Sequence, residues 1–299
     1  MAETLQSLSH RRKEDLTVQP RERGRLQGSK GESGFRNAIF DRLFESSGEQ
    51  DMESKVILIT GALAGIGRAT ALAAAGEGYK VVVSGRNGQT GAALVGELRA
   101  LGAEAEFIQA DIRREPEVQS LVDGTVARFG RLDVAVNNAG TEGQPGPITA
   151  QTAESYAATF DTNVLGTVLA LKHEARVMAA QASGSIVNIS STYGHDGAAN
   201  ASMYAGSKHA VEGITKSVAL ELAAFGVRVN AVAPGPTETG MLDRFTGTAE
   251  NKARLASAVP LGRVGRPEEI ARAILFVASD AASFVTGQIL SADGGKSAG

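Results

Sequence analysis

The chain has 299 residues, 42% of them apolar, with a formal net charge of -3, four histidines and no cysteine. That is enough apolar material for a substantial core, and it removes disulfides, thiol nucleophiles and cysteine-held metals, while the scattered histidines offer no metal-ligand spacing. There is no basic field to draw nucleic acid or an anionic membrane, and no apolar run reaches the roughly 18 residues of a membrane span. A soluble, cytoplasmic protein with neither kind of partner is expected.

Residues 1–53 mix Arg, Glu, Ser and Gly around one apolar cluster, Phe35, Ile39, Phe40, Leu43 and Phe44. They read as a disordered extension carrying one amphipathic helix. Acids are about as frequent there as bases, which argues against a mitochondrial leader. An alternative reading puts the biological start at Met52, just before the first expected strand. Residues 54–299 read as a single domain.

From Lys55 onward, short β-branched runs alternate with longer Ala-rich stretches. Strands are expected at Val56–Thr60, Val81–Ser84, Glu106–Gln109, Val134–Val136, Ser185–Ser190, Arg228–Ala233 and Ile289–Ser291. Helices are expected to begin near Gly65, Gly88, Glu115, Thr152, Met203 and Pro267, the one from Thr152 running to Gln181. Strict alternation predicts an α/β, doubly wound Rossmann fold: one parallel sheet of about seven strands with helices on both faces.

The first strand runs directly into Thr60-Gly61-Ala62-Leu63-Ala64-Gly65-Ile66-Gly67. Three glycines at a strand-to-helix turn let the backbone approach a pyrophosphate and aim free helical N–H groups at it. The spacing lacks the Lys-Ser/Thr of a nucleotide-hydrolysing loop, so a dinucleotide fits better than a triphosphate. Gly61, Gly65, Ile66 and Gly67 are the candidate contacts. At the end of the second strand, where an acid would accept the ribose 2′-hydroxyl, stands Gly85, followed by Arg86. An Arg there accommodates a 2′-phosphate and favours NADP(H) over NAD(H); stacking of Arg86 on adenine would suit either cofactor.

Tyr204 and Lys208 are four residues apart in a segment patterned as a helix, so they project side by side. A free tyrosine hydroxyl is a poor base at neutral pH, and a neighbouring ammonium stabilises its phenolate. The pair is a candidate general acid/base.

Thr60 to Gly67, Asn137-Asn138-Ala139-Gly140, Ser191, Tyr204 with Lys208, and Pro234-Gly235 together resemble the short-chain dehydrogenase/reductase family, in order over residues 55 to about 295. The resemblance implies a nicotinamide-dependent oxidoreductase acting on a small carbonyl or alcohol. Ser191 would bond the substrate oxygen, Tyr204 would exchange the proton, and Lys208 would lower its pKa and hold the nicotinamide ribose. Asn163 matches the family asparagine that orders a water, the alternative being local backbone bonding within its helix. Asp111 matches the adenine contact. Asn137, Ala139 and Gly140 would line the adenosine side, and Pro234, Gly235 and Thr239 the nicotinamide carboxamide. The loop with Met241, Leu242 and Phe245 would close as a lid, and Glu142, Gln144, Tyr193 and His195 are further polar candidates. A 3-oxoacyl-thioester reductase and a sugar or polyol dehydrogenase are rival activities, and a non-catalytic dinucleotide sensor is a rival class. The resemblance also implies a homotetramer, pairing through the Thr152–Gln181 and post-Met203 helices and through residues 287–295.

Overall fold

The structure is a computed structural model that describes residues 54–298, so the extension expected over residues 1–53 lies outside the described residues. Seven strands form one sheet: β1 (Val56–Thr60), β2 (Lys80–Gly85), β3 (Ala105–Gln109), β4 (Val134–Asn137), β5 (Gly184–Ile189), β6 (Val227–Pro234) and β7 (Ile289–Ala292). All are parallel, in the order β3-β2-β1-β4-β5-β6-β7. The expected strands are each found within a residue or two.

The crossovers are α1 (Gly65–Gly76), α2 (Gly88–Ala100), α3 (Glu115–Phe129), α4 (Ala153–Phe160), α5 (Gly166–Gln181), α6 (Ser202–Leu222), α7 (Gly240–Thr246), α8 (Ala249–Ser257) and α9 (Pro267–Ala278). In β1, Ile57 and Ile59 point into a core with Ala71 and Ala74 of α1, Leu94 and Leu98 of α2, and Ile270 and Ile274 of α9. Val56 and Leu58 point into a second core with Leu121 of α3, Leu171 and Met178 of α5, and Leu222 of α6. The period-2 alternation of a strand thus supplies both faces, which is why all five residues of β1 are apolar or buried rather than alternating with solvent.

Two features depart from the sequence pattern. The helix expected from Thr152 to Gln181 is broken into α4 and α5 by a π-helical turn, Asp161–Leu165, with Asn163 at its centre. The segment after Pro234, expected only as a loop, folds into α7 and α8, whose Thr239 and Thr248 accept hydrogen bonds from Leu242 N and Asn251 N as N-caps.

At the edge away from these helices, Arg228 of β6 fastens the end of α9. Its guanidinium donates to the carbonyls of Val277 (2.8 Å), Ala278 (2.9 Å), Ser279 (3.0 Å) and Val285 (3.3 Å). These include carbonyls that a helix end leaves without partners. Replacing Arg228 with Met is expected to lower stability by about 2–4 kcal/mol, read as a lower urea midpoint. Arg228→Lys should recover only part of the loss, because a single ammonium cannot span the four carbonyls.

Candidate active site

Strand order reverses between β1 and β4, and the crevice beyond their carboxyl ends is where an open α/β sheet accepts a ligand. One wall is the turn from β1 into α1. Gly61 has φ +62°, and a Cβ there would lie 2.7 Å from the Ala139 Cα; Gly65 has φ +54° and faces the Thr239 methyl. Both positions demand glycine, by left-handed backbone and by close approach. Ala64, the N-cap of α1, offers no side-chain cap, and no acid occupies the first turn. The free N–H groups and the positive end of the helix therefore face a cleft lined by Gly61, Ala64, Gly65 and Ile66.

The far end of that cleft is lined by Ser84, Gly85, Arg86 and Asp111. A Cβ on Gly85 would lie 2.7 Å from Leu63 Cδ1, so the flexible end of Leu63 fills the space beside this glycine. No described carboxylate is hydrogen-bonded or ion-paired to Arg86. Asp111 is instead bound at both oxygens by Arg113, Nε to Oδ1 at 2.9 Å and Nη2 to Oδ2 at 2.5 Å. That guanidinium holds the Asp111 carboxyl down at about 2.

The four residues from Asn137, the last of β4, to Gly140 divide between two tasks. Asn138 ties the turn to the sheet, its Nδ2 donating to Gly61 O (2.9 Å) and Thr60 O (3.1 Å), and it lines the cleft with Ala139 and Gly140. Asn137, the expected cofactor contact, turns the other way. It is buried, donates to Glu174 Oε2 and to Asn188 Oδ1, both at 3.0 Å, and does not line the cleft. Strand alternation explains this: Asn137 shares the face of Ala135, which packs into the second core.

The second wall comes from β5 and α6. Ser191, two residues beyond β5, accepts a hydrogen bond from Tyr193 N at 3.2 Å and lines one pocket with Tyr204, Lys208, Pro234, Gly235 and Thr239. Lys208 Nζ donates to Ile189 O at 2.8 Å and lies 5.8 Å from the centre of the Tyr204 ring. Burial pushes the Tyr204 hydroxyl up to about 12, Ser191 acting in the opposite direction and Glu142 and Tyr193 adding to the rise. Burial draws Lys208 down to about 8. The expected lowering of the Tyr204 pKa by Lys208 is not found: desolvation of the hydroxyl dominates, and the only group acting against it is Ser191.

Asn163 is a clamp. Its Nδ2 donates to Thr141 O (2.9 Å) and Ser207 Oγ (3.0 Å), and its Oδ1 accepts from Thr141 N (2.8 Å). It therefore joins the loop after β4 to the helix that carries Tyr204, the kind of placement a π-helical turn produces at functional sites. The bonds are to distant segments, not the local backbone bonding that the sequence alone left open.

Other contacts needed the fold to be seen. Glu212 accepts from Ser190 Oγ at 2.8 Å and sits 3.0 Å from His195 Nδ1, so His195 faces a buried carboxylate rather than the pocket. Arg244 of α7 pairs with Glu142 through Nε (2.5 Å) and Nη2 (3.1 Å), tying the lid to the loop after β4. His209 bonds within its own helix, at 2.9 Å from Ala205 O. Glu142 and His195 were singled out by sequence but their partners Arg244 and Glu212 were not, and neither relation has a signal in spacing, because each joins segments apart in the chain. The pocket has a volume of about 130 Å³.

Comparison with known proteins agrees with this arrangement. A family model described as enoyl-(acyl carrier protein) reductase matches residues 61–297. The chain belongs to the short-chain dehydrogenase/reductase family, enzymes that act on alcohol and carbonyl groups. It is 41% identical over 244 residues to cis-4-hydroxycyclohexanecarboxylate dehydrogenase of Sinomonas cyclohexanicum, covering 82% of this chain and 97% of that one. It is 42% identical over 246 residues to a 3-oxoacyl-(acyl-carrier-protein) reductase of Synechocystis, covering 82% and 97%. Among solved structures it resembles a variant of actinorhodin polyketide ketoreductase with NADPH, at 36% identity, TM-score 0.78, covering 82% and 97%. No helix of the described residues is long and apolar enough to cross a membrane.

Beneath the site, Glu174 is buried against Asn137, which also bonds Asn188, and burial raises its carboxyl from the ordinary 4.5 to about 7. The folded chain then holds a proton that the unfolded chain has lost. The stability Glu174 contributes is full below 4.5 and is lost as pH rises through 7. Glu174→Gln is expected to flatten this dependence, so that urea midpoints fall less for the variant than for the wild type between acid and mildly alkaline pH.

Proposed function

We propose that this protein interconverts a secondary alcohol and its ketone on a small or medium-sized substrate, using NADP(H) in preference to NAD(H). The observation that carries the reading is that Ser191, Tyr204 and Lys208 line one pocket, which shares Ile66, Asn138, Gly140 and Thr239 with the glycine-turn cleft. The free donors of α1 and the glycines that admit a close backbone fit a pyrophosphate. Arg86, with Leu63 filling the space beside Gly85, fits a 2′-phosphate better than a bare ribose. The solved ketoreductase with NADPH supports the same choice.

When bound, the nicotinamide supplies or accepts the hydride. In reduction Tyr204, kept protonated by its burial, gives its proton to the carbonyl oxygen while Ser191 donates a hydrogen bond to that same oxygen. Lys208, anchored on Ile189 O, places its positive charge beside the phenolate that forms. In oxidation the same groups act in reverse, and Tyr204 must first lose its proton. Asn163 is a positioning residue that holds Thr141 and Ser207 in register. Asp111, Ala139 and Gly140 flank the adenosine, and Pro234, Gly235 and Thr239 the carboxamide. The Synechocystis relative supports a 3-oxoacyl thioester as a second substrate reading, which a panel of ketones, sugars and acyl thioesters separates.

We take the working form to be a cytoplasmic homotetramer. Exposed Leu165 and Val168 along the π-helical turn and α5, and exposed Phe276, Phe284 and Leu290 near the C-terminal end, support two apolar contact surfaces.

Tyr204→Phe is expected to cut kcat by about 10²–10⁴ while NADPH binding, followed by fluorescence, is retained; near-normal turnover would overturn the mechanism. Arg86→Ala should weaken NADPH binding by about 10- to 100-fold and leave NADH binding little changed. An equal effect on both cofactors would remove Arg86 as the 2′-phosphate contact.

A further inference from the structure

Lys296 follows β7 and lines the same pocket as Ser191, Tyr204 and the lid residue Phe245. Its ammonium lies 4.0 Å from the centre of the Tyr193 ring and 3.4 Å from Thr192 Oγ1. The Tyr193 ring is itself 6.4 Å, edge to face, from the Tyr204 ring, so those two steps separate the Lys296 charge from the aromatic ring of the proton donor. The side chain is partly buried and its direction is fixed from below. Asp293 accepts from Gly295 N (2.9 Å), Ser297 N (2.8 Å) and Ser297 Oγ (2.6 Å), which locks the turn that presents Lys296.

The pocket lining carries two other charged groups, and both are engaged. Glu142 is held by Arg244, and Lys208 donates to Ile189 O. Among the described residues no carboxylate forms an ion pair with Lys296; its neighbours are a ring face and a hydroxyl. A cation drawn partly out of water beside the reacting groups, without a counter-charge, attracts an anion more strongly than one on an open surface.

Resting on the oxidoreductase reading, we propose that Lys296 pairs with a carboxylate on the substrate, so that the enzyme acts on keto acids and the corresponding hydroxy acids. The reacting oxygen sits at Tyr204 and Ser191, and the carboxylate reaches Lys296 across the Tyr193 ring. A carboxylate matches one fixed positive charge, whereas a phosphate monoester carries about 1.5 to 2 negative charges at neutral pH and would leave part of its charge uncompensated. A neutral substrate would leave the ammonium unpaired in the closed pocket.

The test uses the full-length protein with NADPH and a short series of keto acids, 4-oxocyclohexanecarboxylate among them, each beside its methyl ester, with neutral ketones as a third set. The wild type is expected to prefer at least one acid over its ester by about 10- to 100-fold in kcat/KM, with the difference in KM rather than kcat. Lys296→Met should erase that ratio and Lys296→Arg should keep most of it. NADPH binding, whose cleft Lys296 does not line, reports that each variant is folded. Acids no better than their esters, turnover of neutral ketones alone, or a ratio that survives in Lys296→Met would each overturn the proposal and leave the oxidoreductase reading standing. No turnover of any carbonyl would overturn that reading, and the proposal with it.

Discussion

A parallel sheet covered by helices on both faces has only the ends of its strands open to solvent, and the rest of this molecule follows from that constraint. Helices α1, α2 and α9 pack on one face and α3, α5 and α6 on the other, so strand side chains are committed to two cores. Groups that meet a ligand must come from the loops at the carboxyl ends. The reversal of strand order between β1 and β4 parts neighbouring crossovers there and opens the crevice. Into it come the glycine turn, the Asn138–Gly140 segment, Ser191 and Pro234, from four strands that lie side by side.

Within that edge, polar side chains do the aligning. Lys208 fastens α6 to the end of β5, Asn163 fastens the same helix to the loop after β4, and Asn138 fastens that loop to the glycine turn. Each bond is shielded, where an unmatched polar group costs more than it would at the surface. The same shielding sets the electrostatics: it raises the hydroxyl of Tyr204 and lowers Lys208, favouring the neutral form of each. For the proposed activity this makes Tyr204 a donor held ready rather than a base already ionised.

The fold was legible because its signal is local. β-branched runs, glycine turns and the four-residue spacing of Tyr204 and Lys208 each declare themselves within a few residues, and the strands fall where those runs lie. What lay beyond reading depended on which way a side chain turns or on what meets it from far along the chain. Asn137 and Asn138 are adjacent and chemically identical, yet one faces the core and the other the cleft. The π-helical turn could not be read from an apolar pattern that continues through it, since its cause is the distant bonding of Asn163. The short helices after Pro234 bury little and follow their threonine caps more than any hydrophobic period. Glu174 and Glu212 carry no signal in the sequence, because only the fold brings Asn137, Ser190 and His195 against them.

The uncapped start of α1 bears on how this protein tolerates change. The donors presented by that turn belong to the main chain, so no particular side chain at Ala64 supplies them. Substitution there should drift freely among relatives as long as the helix begins at the same residue. Intolerance is concentrated at Gly61, Gly65 and Gly67, where any added carbon meets Ala139, Thr239, or Asn138 and the Gly61 carbonyl. Selection at this end of the molecule therefore acts on the shape of the backbone, and reading it requires asking which atoms are missing rather than which are present.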